Sequence, residues 1–239
     1  MQNSNKKGFT LLELLIVIGI IAILSVVVIL VLNPAETLRK SRDTQRMSDL
    51  ATLKTALGLY MTTVAPVYLS GASDNTQCQA ALGTWTTTED GIFYSYPNDG
   101  ADITDVTIDG STFSATMGAF QVATAAMSNT DGTGWLPVNL SAIVGGSPIS
   151  FMPLDPTNGF VTGSVSSVLA GDLLYRYGCA IVGNVLNFEI NATLESAEFT
   201  TSPNNRRIKD GGNSLLMYEV GTINTILGAN DASSTTLGF

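Results

Sequence analysis

The stretch Leu14–Leu32 reads LLIVIGIIAILSVVVILVL, and only Gly19 and Ser25 interrupt its apolar side chains. No charged residue occurs between Glu13 and Glu36. About 20 apolar residues, each adding a helical rise of 1.5 Å, span a hydrocarbon core of roughly 30 Å. The stretch therefore predicts a helix of transmembrane length near the start of the chain.

The composition of the whole chain excludes several classes of function. Its 239 residues suffice for one sizeable domain, or for one domain with an appendage. The absence of histidine excludes Ser-His-Asp or Cys-His catalysis and histidine-based zinc sites, and two cysteines are too few for a Cys-rich zinc site. With 11 Lys+Arg against 20 Asp+Glu, the net charge is -9, which disfavours broad nucleic-acid binding.

Three interpretations of the apolar stretch compete. The first is a cleaved secretory signal with Lys6 and Lys7 as its basic region, but such a signal has an apolar region of only about 7–15 residues followed by small residues. This stretch is longer, and Asn33-Pro34 follows it. The second is an ordinary single-pass anchor. The third depends on the residues that precede the stretch.

Those residues, Gly8-Phe9-Thr10-Leu11-Leu12-Glu13, follow a short basic leader. This string resembles the class III signal of type IV pilins and type II secretion pseudopilins. The resemblance implies that a prepilin peptidase cuts between Gly8 and Phe9 and that the new N-terminus at Phe9 is methylated. It also implies that Glu13 pairs with the Phe9 amine of a neighbouring subunit. A cationic amine would remove most of the cost of a carboxylate in a low-dielectric filament core.

The charges that flank the apolar stretch conflict with the topology that the resemblance implies. The positive-inside rule favours a cytoplasmic C-terminus, because more basic residues follow the stretch than precede it. The resemblance implies the opposite: a single-pass precursor in the inner membrane with its head outside, and then a periplasmic or extracellular filament. The basic residues compared are Lys6 and Lys7 before the stretch and Arg39, Lys40, Arg42 and Arg46 after it.

The sequence after the apolar stretch predicts a second helical half. Asn33-Pro34 interrupts the helix, and Pro34 is the predicted kink because proline removes a helical hydrogen bond. Apolar residues then recur at helical spacing and predict a face that packs on the chain's own head, with charged residues on the other faces. The helix should end before Pro66. The apolar residues are Met47, Leu50, Leu53, Leu57 and Tyr60.

The predicted fold class is α+β and pilin-like, with a long N-terminal helix packed on an antiparallel sheet. We divide the chain into a leader (1–8), a transmembrane or filament-core helix (9–33), an amphipathic second half of the helix (34–65) and a β-containing head with long loops (66–239). The clearest strands are residues 173–181 and 186–194, which alternate around a Gly183-Asn184 turn and predict a half-buried antiparallel pair.

Few side chains of the head suggest chemistry. Cys78 and Cys179 can be free buried thiols in a reducing compartment, or a disulfide outside the membrane. Some pseudopilins bind calcium in a C-terminal loop, and Asp210 and Asn213 are the nearest analogues. We predict no catalytic residue, no cofactor and no enzymatic activity.

The basic residues at 39–54 and the acidic head have two interpretations. The basic residues can be a solvated helix face beside lipid headgroups, or they can attract the acidic head of a stacked subunit.

The predicted function is that of a structural subunit of a type IV pilus-like filament. The alternatives are a pseudopilin of a type II secretion-like system and a membrane-anchored binding protein that never polymerises. A second resemblance, to the pseudopilin G-type arrangement, rests on Arg42–Arg46, Pro153–Pro156 and Tyr175–Tyr177. The partners implied are identical or related pilin subunits, the prepilin peptidase/methyltransferase, an assembly platform with its ATPase, and membrane lipid. No nucleic-acid partner is predicted.

Overall fold

The computed structural model describes residues 8–71, 73–80, 82, 91–98, 103, 118–161, 164–165, 168–201 and 203–227. Lys6 and Lys7 of the predicted leader lie outside these ranges, so Gly8 is the first residue that can be placed.

Two helices occupy the N-terminal part of the chain. Helix α1 spans Leu11–Leu32 and helix α2 spans Pro34–Thr63. Asn33 separates them with a left-handed backbone (φ 37°), and its side chain accepts a hydrogen bond from the Glu36 amide at 3.4 Å. Asparagine tolerates this conformation better than most residues. Pro34 occupies the first position of α2, where its missing N–H costs nothing, so the helix is interrupted at Asn33.

Five strands form one mixed sheet in the order β2-β1-β3-β4-β5. The α+β architecture with an N-terminal helix is therefore confirmed. One pair departs from the predicted antiparallel arrangement, because β1 and β2 run parallel. A parallel pair needs a long crossover, and the segment 95–117 provides the length. The strands are β1 (Gly91–Tyr94), β2 (Gly118–Phe120), β3 (Arg176–Val182), β4 (Val185–Thr193) and β5 (Met217–Gly221).

Strands β3 and β4 form the predicted hairpin. Val182 pairs with Val185 next to the turn, and the register continues to Arg176 opposite Asn191. Gly183 and Asn184 both have positive φ, at 58° and 68°. A two-residue loop of this kind matches the right-handed twist of the strands, so the dipeptide sets the register of the hairpin.

One face of the sheet packs against α2, and the predicted apolar face of that helix is confirmed from Leu50 to Tyr60, whereas Met47 is only partly buried. Leu50, Leu53 and Leu57 are fully buried, and the Tyr60 hydroxyl accepts a hydrogen bond from the Tyr68 amide at 3.2 Å. Helix α2 ends at Thr63, ahead of Pro66 as predicted. The strand residues that share this core include Phe93, Tyr175, Tyr177, Phe188, Ile190 and Ala192.

The opposite face of the sheet is also covered, so the prediction of a half-buried hairpin is wrong. Glu189 and Asn191 of β4 have no exposed surface, although their alternation with apolar residues predicted a solvated face. This face is buried because segments next to β3 and after β5 pack over it. The apolar residues there are Ile92, Tyr94, Ile103, Val168, Leu174, Met217 and Leu227.

A disulfide links Cys78 to Cys179, with 4.6 Å between their Cα atoms. The adjacent Gln79 pairs with β3: its amide donates to the Cys179 carbonyl at 2.9 Å, and its carbonyl accepts from the Ile181 amide at 2.8 Å. The predicted bond is therefore present, and it joins the segment after α2 to a central strand of the sheet. A short 3₁₀ helix (Leu140–Ala142) and a short helix α3 (Ala197–Thr200) complete the described elements.

Candidate functional site

The start of α1 is a self-contained cap. The Thr10 hydroxyl accepts a hydrogen bond from the Glu13 amide at 3.2 Å, and the Glu13 carboxylate accepts from the Thr10 amide at 2.9 Å and from its hydroxyl at 2.8 Å. This reciprocal arrangement satisfies amides at the helix N-terminus that have no helical partner. The cap fixes the first turn of the helix and holds the Glu13 side chain against Thr10.

The predicted cleavage point lies in exposed chain just ahead of this cap. Gly8, Phe9 and Thr10 have no regular secondary structure apart from the N-cap position of Thr10, and Phe9 is 85 % exposed. No heavy atom lies within 4 Å of the position that a Cβ atom of Gly8 would take. A protease needs extended, accessible backbone, and this segment offers it.

Helix α1 has an uncovered apolar surface. The window Leu11–Val28 is long and apolar enough to cross a membrane, and none of it is buried against the rest of the described chain. An apolar surface of this size in a monomer marks contact with lipid or with other protein. Glu13 is the only acidic residue in α1, and within the described residues only Thr10 donates hydrogen bonds to its carboxylate.

A second polar cluster fixes α2 to the head, and Arg46 is at its centre. Arg46 is fully buried and donates from Nε and Nη2 to both carboxylate oxygens of Asp155, at 2.6 and 2.9 Å. Its Nη1 donates to Asp43 at 2.8 Å and to Glu195 at 2.6 Å. Planar, two-point recognition of a carboxylate is the geometry that arginine favours.

The other members of this cluster are also satisfied. The Asp43 carboxylate accepts from the amides of Glu195 and Ser196, at 2.7 to 3.1 Å. Arg42 forms a two-point pair with Glu195 at 2.7 and 2.8 Å. Asp155 accepts from the amide of Thr157 at 2.8 Å, which orders the loop that carries it. We call Arg42, Asp43, Arg46, Asp155 and Glu195 the neck cluster.

The electrostatics of the neck cluster favour the charged forms of Arg46 and Glu195. Burial acts to lower the pKa of Arg46, but hydrogen bonds and charge from Asp155 and Glu195 raise it above its usual value. Burial acts to raise the pKa of Glu195, and the hydrogen bonds from Arg42 and Arg46 outweigh it and lower that pKa. Arg46 and Glu195 therefore carry their charges at neutral pH, and each is paired.

The expectation that the charged residues of α2 lie on faces other than the packed one is wrong for Asp43 and Arg46, which are fully buried. A signal was available, because Asp43 and Arg46 extend the series Leu50, Leu53 and Leu57 backwards at spacings of 3 and 4. A charged pair at core-facing positions requires a partner, and the Asp155-Pro156 loop supplies it. Arg42 and Arg46 therefore pair with acidic residues of the same chain in this cluster.

Strands β4 and β5 carry a pair of buried acidic side chains, Glu189 and Glu219, that no sequence pattern indicated. Glu189 accepts from the amides of Ile226 and Leu227 at 2.6 and 3.0 Å, and Glu219 accepts from the Ser214 amide at 2.9 Å. The other carboxylate oxygen of each residue is buried without a hydrogen-bond partner among the described residues, and burial raises the pKa of both carboxyl groups. Burial, followed by the charge of Glu189, raises the pKa of Glu219 to about 10.

The calcium candidates lie beside this pair. Asp210 accepts hydrogen bonds from the amides of Gly212 and Glu219, at 2.9 and 2.8 Å, so its carboxylate stabilises the turn before β5. Asn213 lies in the same turn. In the part of the chain that the structure describes, no three acidic or cysteine side chains are grouped as a metal site requires.

Comparison with known proteins gives one match. A family model described as the prokaryotic N-terminal methylation motif matches residues 3–29. No curated protein and no solved structure matches the chain. The match covers the capped start of α1 and most of its apolar stretch, and it leaves the head outside. The N-terminal segment of this chain is the prepilin-type signal of type IV pilins and pseudopilins.

Proposed function

We propose that the chain is the structural subunit of a type IV pilus-like filament. In this proposal it is first stored as a single-pass precursor in the inner membrane, with its head on the outer side. A prepilin peptidase then removes the leader up to Gly8, and Phe9 becomes the methylated N-terminus. The proteins that carry this motif are in general structural, and the chain acts as a building block rather than as an enzyme.

The observation that carries the proposal is the isolation of Glu13. This carboxylate lies at the start of an apolar helix, and no described residue of its own chain offers it a cationic partner. Removal of the leader creates a cationic amine at Phe9, four residues away. In a filament core of packed α1 helices, the amine of one subunit and the Glu13 carboxylate of the next neutralise each other.

The exposed apolar surface of α1 supplies the remaining contact. Lipid tails are as apolar as its side chains, so moving α1 from lipid into a filament brings little hydrophobic gain. Packing between helices and the Glu13–Phe9 pair therefore determine the register between subunits. The work of extraction comes from the assembly ATPase, which is a partner and not part of this chain.

Two measurements test the proposal. The first is mass spectrometry of the N-terminal peptide of the purified protein, where methylated Phe9 is expected and an intact Met1 would overturn the processing step. The second is filament incorporation of Glu13→Ala. This variant should remain in the membrane and be lost from filaments, whereas Asp74→Ala, a change at an exposed acid of the head, should assemble normally.

The same experiments separate the alternatives. A membrane-anchored binding protein that never polymerises would be indifferent to Glu13→Ala. A secretion pseudopilin would share the processing and the sensitivity to this variant, but its filaments would be short. Filament length in electron micrographs of cells that express the chain therefore distinguishes a pilus from a pseudopilus.

A further inference from the structure

Basic residues from two parts of the chain lie around α3. One group follows α3 in the head, and the other is at the start of α2. Arg206, Arg207 and Lys209 follow α3, and the Arg206 amide donates to the Phe199 carbonyl at 2.8 Å. Arg39 and Lys40 lie on the second turn of α2, and the Lys40 ammonium is 3.9 Å from the Glu198 carboxylate of α3. We call Arg39, Lys40, Arg206, Arg207 and Lys209 the basic patch.

An aromatic ring holds the two halves of this patch together. The Lys40 ammonium lies 5.7 Å from the centre of the Phe199 ring, and the Arg206 guanidinium lies 5.9 Å from the same centre. Cations at this distance are attracted by the face of an aromatic ring. Residues separated by more than 160 positions in sequence therefore form one continuous cationic surface.

A groove opens between the two sides of the patch. Its volume is about 480 Å³, and the side chains of Arg39 and Arg207 both contribute to its lining. Apolar residues, among them Val161 and Leu216, form much of the remaining wall. The Arg207 guanidinium donates to the carbonyls of Thr200 and Leu216, at 2.9 and 3.3 Å, so it is held in place beside the groove.

Exposed apolar side chains lie next to these cations in the chain. Leu38 is 61 % exposed and precedes Arg39, and Ile208 is 52 % exposed between Arg207 and Lys209. Cationic residues interspersed with exposed apolar ones are typical of surfaces that bind the interfacial region of a membrane.

Carboxylates also lie beside the patch and its groove. Glu36 is 3.9 Å from Arg39 and Glu198 is 3.9 Å from Lys40, and Glu195, which lines the groove, is paired with Arg42 and Arg46. Arg39 and Lys40 are about half exposed in these pairs. Exposed ion pairs of this kind are weak, so both side chains remain available to an external anion.

The patch lies a short distance after the end of α1, and this distance indicates which surface it can contact. Arg39 lies seven residues after the end of α1, within about 10 Å along the helical rise. The headgroup layer on each side of a bilayer extends several ångströms beyond the hydrocarbon core. If α1 spans the membrane, Arg39 therefore lies close enough to the headgroup layer for its side chain to reach a phosphate group.

We propose that the basic patch binds anionic phospholipid headgroups, with a phosphate seated between Arg39 and Arg207, and so holds the head against the membrane surface before assembly. This inference rests on the proposed function in one respect, the insertion of α1 into the membrane. An anionic leaflet attracts each basic residue near its surface, and the attraction decreases within a Debye length. The head is thus docked while the subunit is stored, and it is released when the subunit leaves the lipid.

Lysine acetylation footprinting of the full chain tests the docking. The chain is reconstituted at one copy per nanodisc, either in phosphatidylcholine alone or with phosphatidylglycerol added, and is treated with a neutral, water-soluble acetylating reagent. Lys54 lies exposed on the same helix outside the patch and serves as the internal reference. In anionic discs, Lys40 and Lys209 should react about fivefold or more slowly relative to Lys54 than in neutral discs, and 0.5 M salt should abolish the difference.

Two variants refine the test. Arg206→Glu should restore the reactivity of Lys40 and Lys209 in anionic discs, because it places a carboxylate in the patch. Lys54→Glu makes the same charge change elsewhere and should leave the protection intact, with the neutral discs then serving as the reference.

The outcomes separate this inference from the proposed function. Equal reactivity in both lipids would overturn the docking while insertion, read from co-migration with nanodiscs, would still support α1 as an anchor. Protection by inorganic phosphate in neutral discs would indicate a small-anion site and overturn the membrane assignment. Protection that requires two copies per disc, whatever the lipid, would overturn it in favour of contact between heads. Failure to insert at all would count against the proposed function itself.

Discussion

Arg46 donates hydrogen bonds to both carboxylate oxygens of Asp155, and both side chains are fully buried. The pair joins the fourth turn of α2 to the loop that precedes the main hairpin. A buried ion pair contributes little net stability over an apolar alternative, but loss of one partner leaves a buried charge without compensation. The two residues therefore make the position of the head on α2 specific.

The first prediction concerns that pair. Asp155→Ala should lower the free energy of unfolding of the head by about 3–5 kcal/mol, because Arg46 would keep a buried charge with fewer partners. Urea denaturation followed by tryptophan fluorescence measures the change, and Trp135, which donates to the Pro153 carbonyl, reports on this region. Glu198→Ala is the control, since it breaks only exposed contacts, an ion pair with Lys40 and a hydrogen bond from Asn204, and should cost less than about 1 kcal/mol. Equal losses in the two variants would contradict the role given to the neck cluster.

The second prediction concerns pH. The pKa of Glu219 is raised to about 10 in the folded head, mainly by burial, against an ordinary value of 4.5. Between these values the folded state binds a proton that the unfolded state lacks, so this residue makes stability fall as pH rises from about 5 towards 10. The largest slope it can contribute is about 1.4 kcal/mol per pH unit.

Glu219→Gln removes the titrating group and keeps a polar side chain of the same size. The variant should therefore lose stability less steeply between pH 5 and pH 9 and should exceed the wild type at the upper end. Urea midpoints collected across this range provide the measurement. Glu198→Gln makes the same change at an exposed position and should follow the wild type. Parallel curves for Glu219→Gln and the wild type would contradict the raised pKa of Glu219.

The third prediction concerns the disulfide. The bond between Cys78 and Cys179 closes a loop of about 100 residues, and its reduction should lower the free energy of unfolding by up to about 4.7 kcal/mol. Denaturation with and without a reductant measures the loss. The cysteine-free variant Cys78→Ala/Cys179→Ala should resemble the reduced protein and should not respond to the reductant. A wild type that the reductant leaves unchanged would contradict the prediction.

The fourth prediction compares two leucines of α2. Leu53 is fully buried against the sheet, whereas Leu59 is 41 % exposed. Leu53→Ala should cost about 2–5 kcal/mol because it leaves a cavity in the core. Leu59→Ala should change stability by less than about 0.5 kcal/mol. Thermal denaturation ranks the two variants, and a reversed order would place the wrong face of α2 on the sheet.

The sequence predicted those parts of the fold that depend on short-range patterns. The unbroken apolar stretch predicted α1, the spacing from Leu50 to Tyr60 predicted the buried face of α2, and Gly183-Asn184 predicted the turn of the hairpin. Each of these signals is complete within about 20 residues. The prepilin-type signal belongs to the same class, because its residues are consecutive.

Features that need distant partners were not predicted. Alternation along β4 placed Glu189 and Asn191 towards solvent, because nothing local shows that residues after 210 fold over that face. Arg46 and Asp155 lie 109 positions apart, and a charge on a helix is ordinarily assigned to solvent when its partner is unknown. The parallel pairing of β1 with β2 likewise depends on a long connection that carries no pairing signal of its own.

The disulfide has a mechanical consequence for the head. A pull on α1 is transmitted to α2 across Asn33, and α2 can leave the sheet only by shearing the neck cluster and the row of buried leucines behind it. The chain that follows α2 is anchored covalently at Cys78 to β3, a central strand. If α2 were pulled off the sheet, tension along α1 would pass through this covalent link to Cys179, so residues 79–178, which include β1 and β2, could not be extended until the link is broken.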